Sequence, residues 1–131
     1  VNAVNERKKK ILVADDNPVS RELIREILES DDYEVIEAVD GEDALQKLRA
    51  HRADLALLDI QMPIKDGIAT IREIRADAQL SYLPVCALTA YAMQGDREKA
   101  LASGFNAYIT KPIAIADLRS RIAELLGRPR D

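Results

Sequence analysis

Leu55-Ala56-Leu57-Leu58-Asp59 is four apolar residues closed by a carboxylate. A short, unbroken apolar run of this kind, followed by a loop containing Pro63, reads as a strand covered on both faces. The same shape occurs twice more. Ile11-Leu12-Val13-Ala14 is followed by Asp15 and Asp16, and Ala107-Tyr108-Ile109-Thr110 by Lys111. If these runs are parallel strands of one sheet, three acids and one lysine gather on a single rim.

Outward from these runs, the chain alternates between short apolar stretches and longer ones of helical period. Val19, Leu23, Ile24, Ile27 and Leu28 fall on one face of a helix, with Asn17 as its cap and Pro18 in its first turn. Val35-Ile36, flanked by Glu34 and Glu37, suits a less buried strand, and Asp40 caps a helix bearing Ala44, Leu45 and Leu48. Gly67 opens a helix with Ile68, Ile71, Ile74 and Arg75. Pro84 precedes the strand Val85-Cys86-Ala87-Leu88. A helix through Arg97, Ala100 and Leu101 stops at Gly104, a natural left-handed residue. The last helix carries Ile115, Leu118, Ile122, Leu125 and Leu126 and ends at Gly127 and Pro129.

Strands alternating with helices imply a parallel sheet, because parallel neighbours need crossover connections. The expected fold is α/β, a doubly wound five-stranded parallel sheet with five helices in the flavodoxin-like order 2-1-3-4-5. That order makes the first and third strands neighbours at the crevice where such sheets hold their ligands. Asp15, Asp16 and Asp59 then meet there.

The bulk numbers agree with one soluble domain. The chain has 131 residues, 47% hydrophobic and 32% charged, enough for a real core without staples. A formal charge of −4 gives no electrostatic reason for direct nucleic-acid binding by this segment. No apolar run approaches the ~20 residues of a membrane span, so no membrane insertion is expected. With Cys86 the sole cysteine there is no internal disulfide, and a cytoplasmic location is the default. Residues 1–9 read as an N-terminal tail or linker, 10–127 as the domain and 128–131 as a C-terminal tail. The start at Val1 rather than Met leaves room for a longer parent protein.

Three clustered carboxylates need a cation, a lysine or a raised pKa to coexist, because like charges about 4 Å apart repel by roughly 4 kcal/mol at an effective dielectric of ~20. Hard oxygen ligands without His or Cys suit Mg²⁺, Mn²⁺ or Ca²⁺ and argue against zinc. Mg²⁺ commonly sits on one or two carboxylates plus a phosphate, which points to phosphoryl chemistry.

From about Lys10 to Leu126 the chain resembles the receiver domain of two-component response regulators. The residues that carry the resemblance are Asp15-Asp16, Leu58-Asp59-Ile60-Gln61-Met62-Pro63 with Asp66-Gly67, Thr89-Ala90, and Lys111-Pro112. Such domains take a phosphoryl group from a phosphohistidine onto an aspartate. The resemblance implies that Asp59 is the phosphoacceptor and that Asp16, Asp59 and the backbone carbonyl of Gln61 hold Mg²⁺ directly, with Asp15 acting through a water. It gives Lys111 and Thr89 contacts to phosphoryl oxygens and a cis Lys111–Pro112 peptide. Thr89 and Tyr108 become the switch that alters the face made by the fourth helix, fifth strand and fifth helix. The implied partners are a histidine kinase or histidine phosphotransfer protein, with room for a phosphorylation-dependent dimer or output partner. Details around Thr89 and Lys111 lean toward the branch of phosphorelay regulators and hybrid histidine kinases, either as a stand-alone regulator or as part of a larger one.

Two other classes compete. A hydrolytic phosphatase with an aspartate nucleophile needs an acid two residues on, where Gln61 stands, and Gln61 cannot protonate a leaving group. A pseudo-receiver, an interaction module without phosphorylation, would show a damaged acid set, and this set is intact. The domain is thus expected to promote only its own aspartyl phosphorylation and dephosphorylation, not to turn over substrate. The resemblance also implies that Gln61 and Tyr91, two residues beyond Asp59 and Thr89, influence access of water to the phosphoryl group. A bulky Tyr91 suggests slow hydrolysis of the phosphorylated form. His51, Cys86, the run Lys8-Lys9-Lys10, and Arg119, Arg121, Arg128 and Arg130 read as ordinary surface or core residues.

Overall fold

The computed structural model describes residues 8–90 and 95–127; Tyr91, Arg128, Pro129 and Arg130, and the tail up to residue 7, lie outside them. Five strands alternate with five helices: β1 (Lys10–Ala14), α1 (Pro18–Ser30), β2 (Glu34–Ala38), α2 (Gly41–Ala50), β3 (Leu55–Asp59), α3 (Gly67–Ala76), β4 (Val85–Thr89), α4 (Asp96–Ser103), β5 (Ala107–Thr110) and α5 (Ile115–Leu125). All pairings are parallel, in the order β2-β1-β3-β4-β5. The doubly wound sheet expected from the sequence is the sheet observed.

The period-2 geometry of the strands splits the core into two layers. Leu12, Ala14, Ala56, Leu58, Val85 and Ala87 face α2, α3 and α4, meeting Leu45, Ile71, Ile74 and Ala100. Ile11, Val13, Leu55, Leu57, Cys86 and Leu88 face the other way, onto Ile24, Ile27 and Leu28 of α1 and Leu118 and Ile122 of α5. β1, β3 and β4 are almost wholly buried, while β2 at the edge is mostly half-buried. Cys86 is a core residue, and burial pushes its thiol up to about 12.

The caps at Asn17 and Asp40 follow the sequence, and Asp66 adds a third. Asn17 Oδ1 accepts from the N–H groups of Val19 (2.9 Å) and Ser20 (3.2 Å). Asp40 and Asp66 each cap their helix through one carboxylate oxygen, at 2.8 Å. Gly104 ends α4 with φ of 122°, a conformation that disfavours a Cβ. The exposed surface also holds His51 and Arg119, the latter paired with Asp31 at 2.7 Å.

α1 differs from its expected face. Ile24, Ile27 and Leu28 are buried, but Leu23 is 49% exposed and Val19 77%. At about 100° per residue the five apolar residues span roughly 180° of the helix, whereas a surface helix typically buries a stripe of about 100°. The three buried residues fill that stripe, and the other two lie outside it.

Candidate functional site

The site stands where β1, β3 and β5 end. In the register, Ala14 lies opposite Leu58, so the next residues, Asp15 and Asp59, emerge side by side. Asp15 is fully buried, Asp59 is buried and Asp16 is exposed; one carboxylate oxygen from each lies within 4.8 Å of the others. Lys111 reaches across from the end of β5. Its Nζ donates to Asp15 Oδ2 and to Asp59 Oδ2, both at 2.8 Å. The acids and the lysine predicted to share one rim do share it.

The other oxygens of the buried acids are also held. Asp15 Oδ1 accepts the N–H of Asn17, and Asp59 Oδ1 accepts that of Gln61, both at 2.9 Å. Gln61 therefore meets Asp59 through its N–H. The Lys111–Pro112 peptide is cis, and the Lys111 N–H donates to the Thr89 carbonyl at 2.7 Å. Thr89, at the end of β4, is 3% exposed. Tyr108 on β5 is half-buried against the core layer of α2, α3 and α4.

At the rim, desolvation and hydrogen bonding compete, and the balance differs between Asp59 and Lys111. Burial pushes the Asp59 carboxyl above its usual range; the hydrogen bonds from Lys111 and the Gln61 N–H oppose this without cancelling it. For Lys111, burial alone would lower the pKa, but its hydrogen bonds to Asp15 and Asp59 outweigh that and hold it above the ordinary value. The ammonium offsets only one of three negative charges when all the acids are ionised. The two that remain match a divalent cation, and the all-oxygen donor set fits Mg²⁺ chemistry.

Three features escaped the sequence. Gly67 packs so closely under the site that a Cβ there would meet the Asp59 carbonyl oxygen at 2.5 Å and the Ile60 Cα at 2.7 Å. Arg21 Nη1 donates to the Asp15 carbonyl at 2.7 Å, while its Nε donates to Glu37 Oε1 at 3.0 Å. Lys65, in the loop after Asp59, is ion-paired with Glu42 of α2 and Glu73 of α3. A signal for Arg21 exists: Arg21 and Arg25 are one turn apart, both facing a strand that carries Glu37.

A doubly wound sheet with an acidic cluster and a lysine at its carboxyl rim defines a class of α/β domains whose ligand crevice lies where β1 and β3 end. The chain belongs to the response regulator receiver domain family, whose model matches residues 11–123. It is 38% identical over 119 residues to the polar-differentiation response regulator DivK of Brucella anthropi, an alignment covering 91% of this chain and 97% of that protein. Among solved structures it is similar to the receiver domain of the sensor histidine kinase PA1611 of Pseudomonas aeruginosa PAO1, which has a magnesium ion coordinated in its active-site cleft. That match has a TM-score of 0.86 and 38% identity, over 92% of this chain and 99% of that one. The receiver domain of the Francisella response regulator 1452 gives a TM-score of 0.86 at 31% identity, over 94% of this chain and all of that one. No described helix is long and apolar enough to cross a membrane.

Proposed function

We propose that this chain, with residues 10–127 as its receiver domain, is a phosphoacceptor that takes a phosphoryl group from a phosphohistidine onto Asp59. The observation that carries the reading is the pair of 2.8 Å contacts from Lys111 Nζ to Asp15 and Asp59, beside the exposed Asp16. An Asp59 carboxylate oxygen attacks phosphorus in line; the new O–P bond forms as the P–N bond to the imidazole breaks, and the electron pair returns to nitrogen. Asp16, Asp59 and the backbone carbonyl of Gln61 would hold Mg²⁺ directly, with Asp15 acting through a water, and the ion would supply charge neutralisation on the phosphoryl oxygens. Asp15 and Asp59 are both buried with both oxygens held, so the outer role of Asp15 rests on the family resemblance. The exposed carboxylate of Asp16 suits the direct role.

Lys111, a mobile point charge, follows the new charge from the Asp59 carboxylate onto a phosphoryl oxygen. Thr89 donates its hydroxyl to another. As Thr89 moves, Tyr108 rotates inward, and the surface of α4, β5 and α5 changes its affinity for a partner. The donor is a cytoplasmic histidine kinase or histidine phosphotransfer protein, and the domain performs no turnover beyond its own phosphorylation and dephosphorylation.

Incubation with a small-molecule phosphodonor and Mg²⁺ should add one phosphoryl group, read by intact-mass spectrometry. Asp59→Asn should abolish the addition, and chelation of Mg²⁺ should suppress it. A wild-type chain that stays unmodified under these conditions, and with a phosphorylated histidine donor, would instead be an interaction module of the pseudo-receiver kind.

A further inference from the structure

We propose that Arg21 is a positioning residue for the acidic pair, fixing the peptide plane between Asp15 and Asp16 and so aiming Asp16 at the cation. The proposal rests on the reading of the rim as a Mg²⁺ site. The carbonyl of Asp15 and the N–H of Asp16 belong to one planar unit, so turning one turns the other. Arg21 Nη1 holds that carbonyl at 2.7 Å. The Asp15 side chain has its own anchors in Asn17 and Lys111, and its N–H donates to the Ala38 carbonyl at 3.1 Å. Asp16 is exposed, and among the described residues nothing holds its carboxylate by a hydrogen bond or ion pair. The backbone of Asp16 therefore sets the direction of its Cα–Cβ bond, and with it the region the carboxylate can reach, and Arg21 grips that backbone.

Arg21 is itself braced. Its side chain is 17% exposed, and Nε lies 3.0 Å from Glu37 Oε1. The other Glu37 oxygen accepts from Arg25 Nη1 at 3.0 Å, and the Glu37 carbonyl accepts from Lys47 Nζ at 2.6 Å. A chain of charge-assisted bonds thus runs from α2 through β2 and α1 to the Asp15–Asp16 peptide.

Two effects of opposite sign separate this role from a simpler one. As a bare positive charge, Arg21 would repel a cation, and its removal would tighten Mg²⁺ binding. Because Glu37, shared with Arg25, offsets part of that charge at close range, the loss of alignment should dominate and binding should weaken. Outer partners that orient metal ligands typically change affinity by about 10–100-fold.

The test is calorimetric titration of the full chain with Mg²⁺, for wild type, Arg21→Met, Arg21→Lys and Glu37→Gln. Arg21→Met should raise Kd at least about tenfold, and phosphorylation by a small phosphodonor should slow at low Mg²⁺ but recover at saturating Mg²⁺. Arg21→Lys, which restores one donor, and Glu37→Gln, which loosens the brace, should fall between. A role in stability alone would lower the unfolding midpoint and leave the Kd of the folded protein unchanged. An unchanged or tighter Kd in folded Arg21→Met overturns the proposal. If that variant fails to fold, a wild-type Kd in both other variants does so. Wild type that binds no Mg²⁺ brings down the reading of the rim itself, a distinct failure.

Discussion

At the scale of single residues, the charged members of the site were legible because Asp15-Asp16, Asp59 and Lys111 each follow an apolar run, and a turn-capping role that would explain one such charge does not explain their convergence. Gly67 was not legible in the same way. The sequence marks it as a helix start, but its requirement comes from the Asp59 carbonyl beneath it, a contact across eight residues of chain. Its backbone conformation is ordinary, so the constraint is space, not conformational freedom. A methyl group at 2.5 Å from a backbone oxygen cannot be absorbed by a side-chain rotation; the loop must move. Gly67→Ala should therefore cost about 1–3 kcal/mol, the usual range for overpacking. It should also slow phosphorylation of Asp59, because the displaced atoms are the peptide that carries it. Denaturant unfolding and mass-spectrometric labelling measure the two effects, and a stable variant labelled at the wild-type rate would contradict the crowding argument.

At the scale of elements, existence and order were readable from the alternation of apolar runs, while burial at the helix margins was not. Val19 and Leu23 of α1 and Ile115 of α5 have helical spacing yet are exposed, because periodicity gives a stripe and only the sheet sets its usable width. Arg75 shows the converse. Its spacing places it with Ile68, Ile71 and Ile74 on α3, and in the fold it is a tie between elements. Its Nε donates to the Gly104 carbonyl at 2.9 Å, Nη1 to the carbonyls of Ser81 (2.9 Å) and Leu83 (2.6 Å), and Nη2 to Asn106 Oδ1 at 2.7 Å. One guanidinium thereby joins the end of α3 to the turns before β4 and β5. Lysine offers a single compact ammonium without the planar fork. Arg75→Ala should lose about 2–4 kcal/mol through several charge-assisted bonds and their stranded carbonyls, and Arg75→Lys should recover less than half of that. Full recovery by lysine in urea unfolding would show that charge, not the fork, is what matters there.

For the whole molecule, the strand order was recoverable because the acids make sense only if β1 and β3 are neighbours; the chemistry constrained the topology as much as the hydrophobic pattern did. The same logic makes the rim a place where stability is given up for function. Three acids converge there, and one lysine from β5 joins the ends of β1 and β3. A ligand that binds only the folded state adds stability by mass action, about 2.7 kcal/mol at a hundredfold excess over Kd. For a domain of this size that corresponds to a rise of roughly 10 °C in the unfolding midpoint. Mg²⁺ should produce this rise and an equal ionic strength of NaCl should not. Asp16→Ala should abolish the Mg²⁺ shift. In the metal-free protein the same substitution should raise the midpoint slightly, since it removes an exposed charge from a repelling cluster. That inversion of sign separates the two accounts of Asp16. A carboxylate kept for the fold would be missed with or without Mg²⁺, whereas one kept for the cation is missed only when the cation is present.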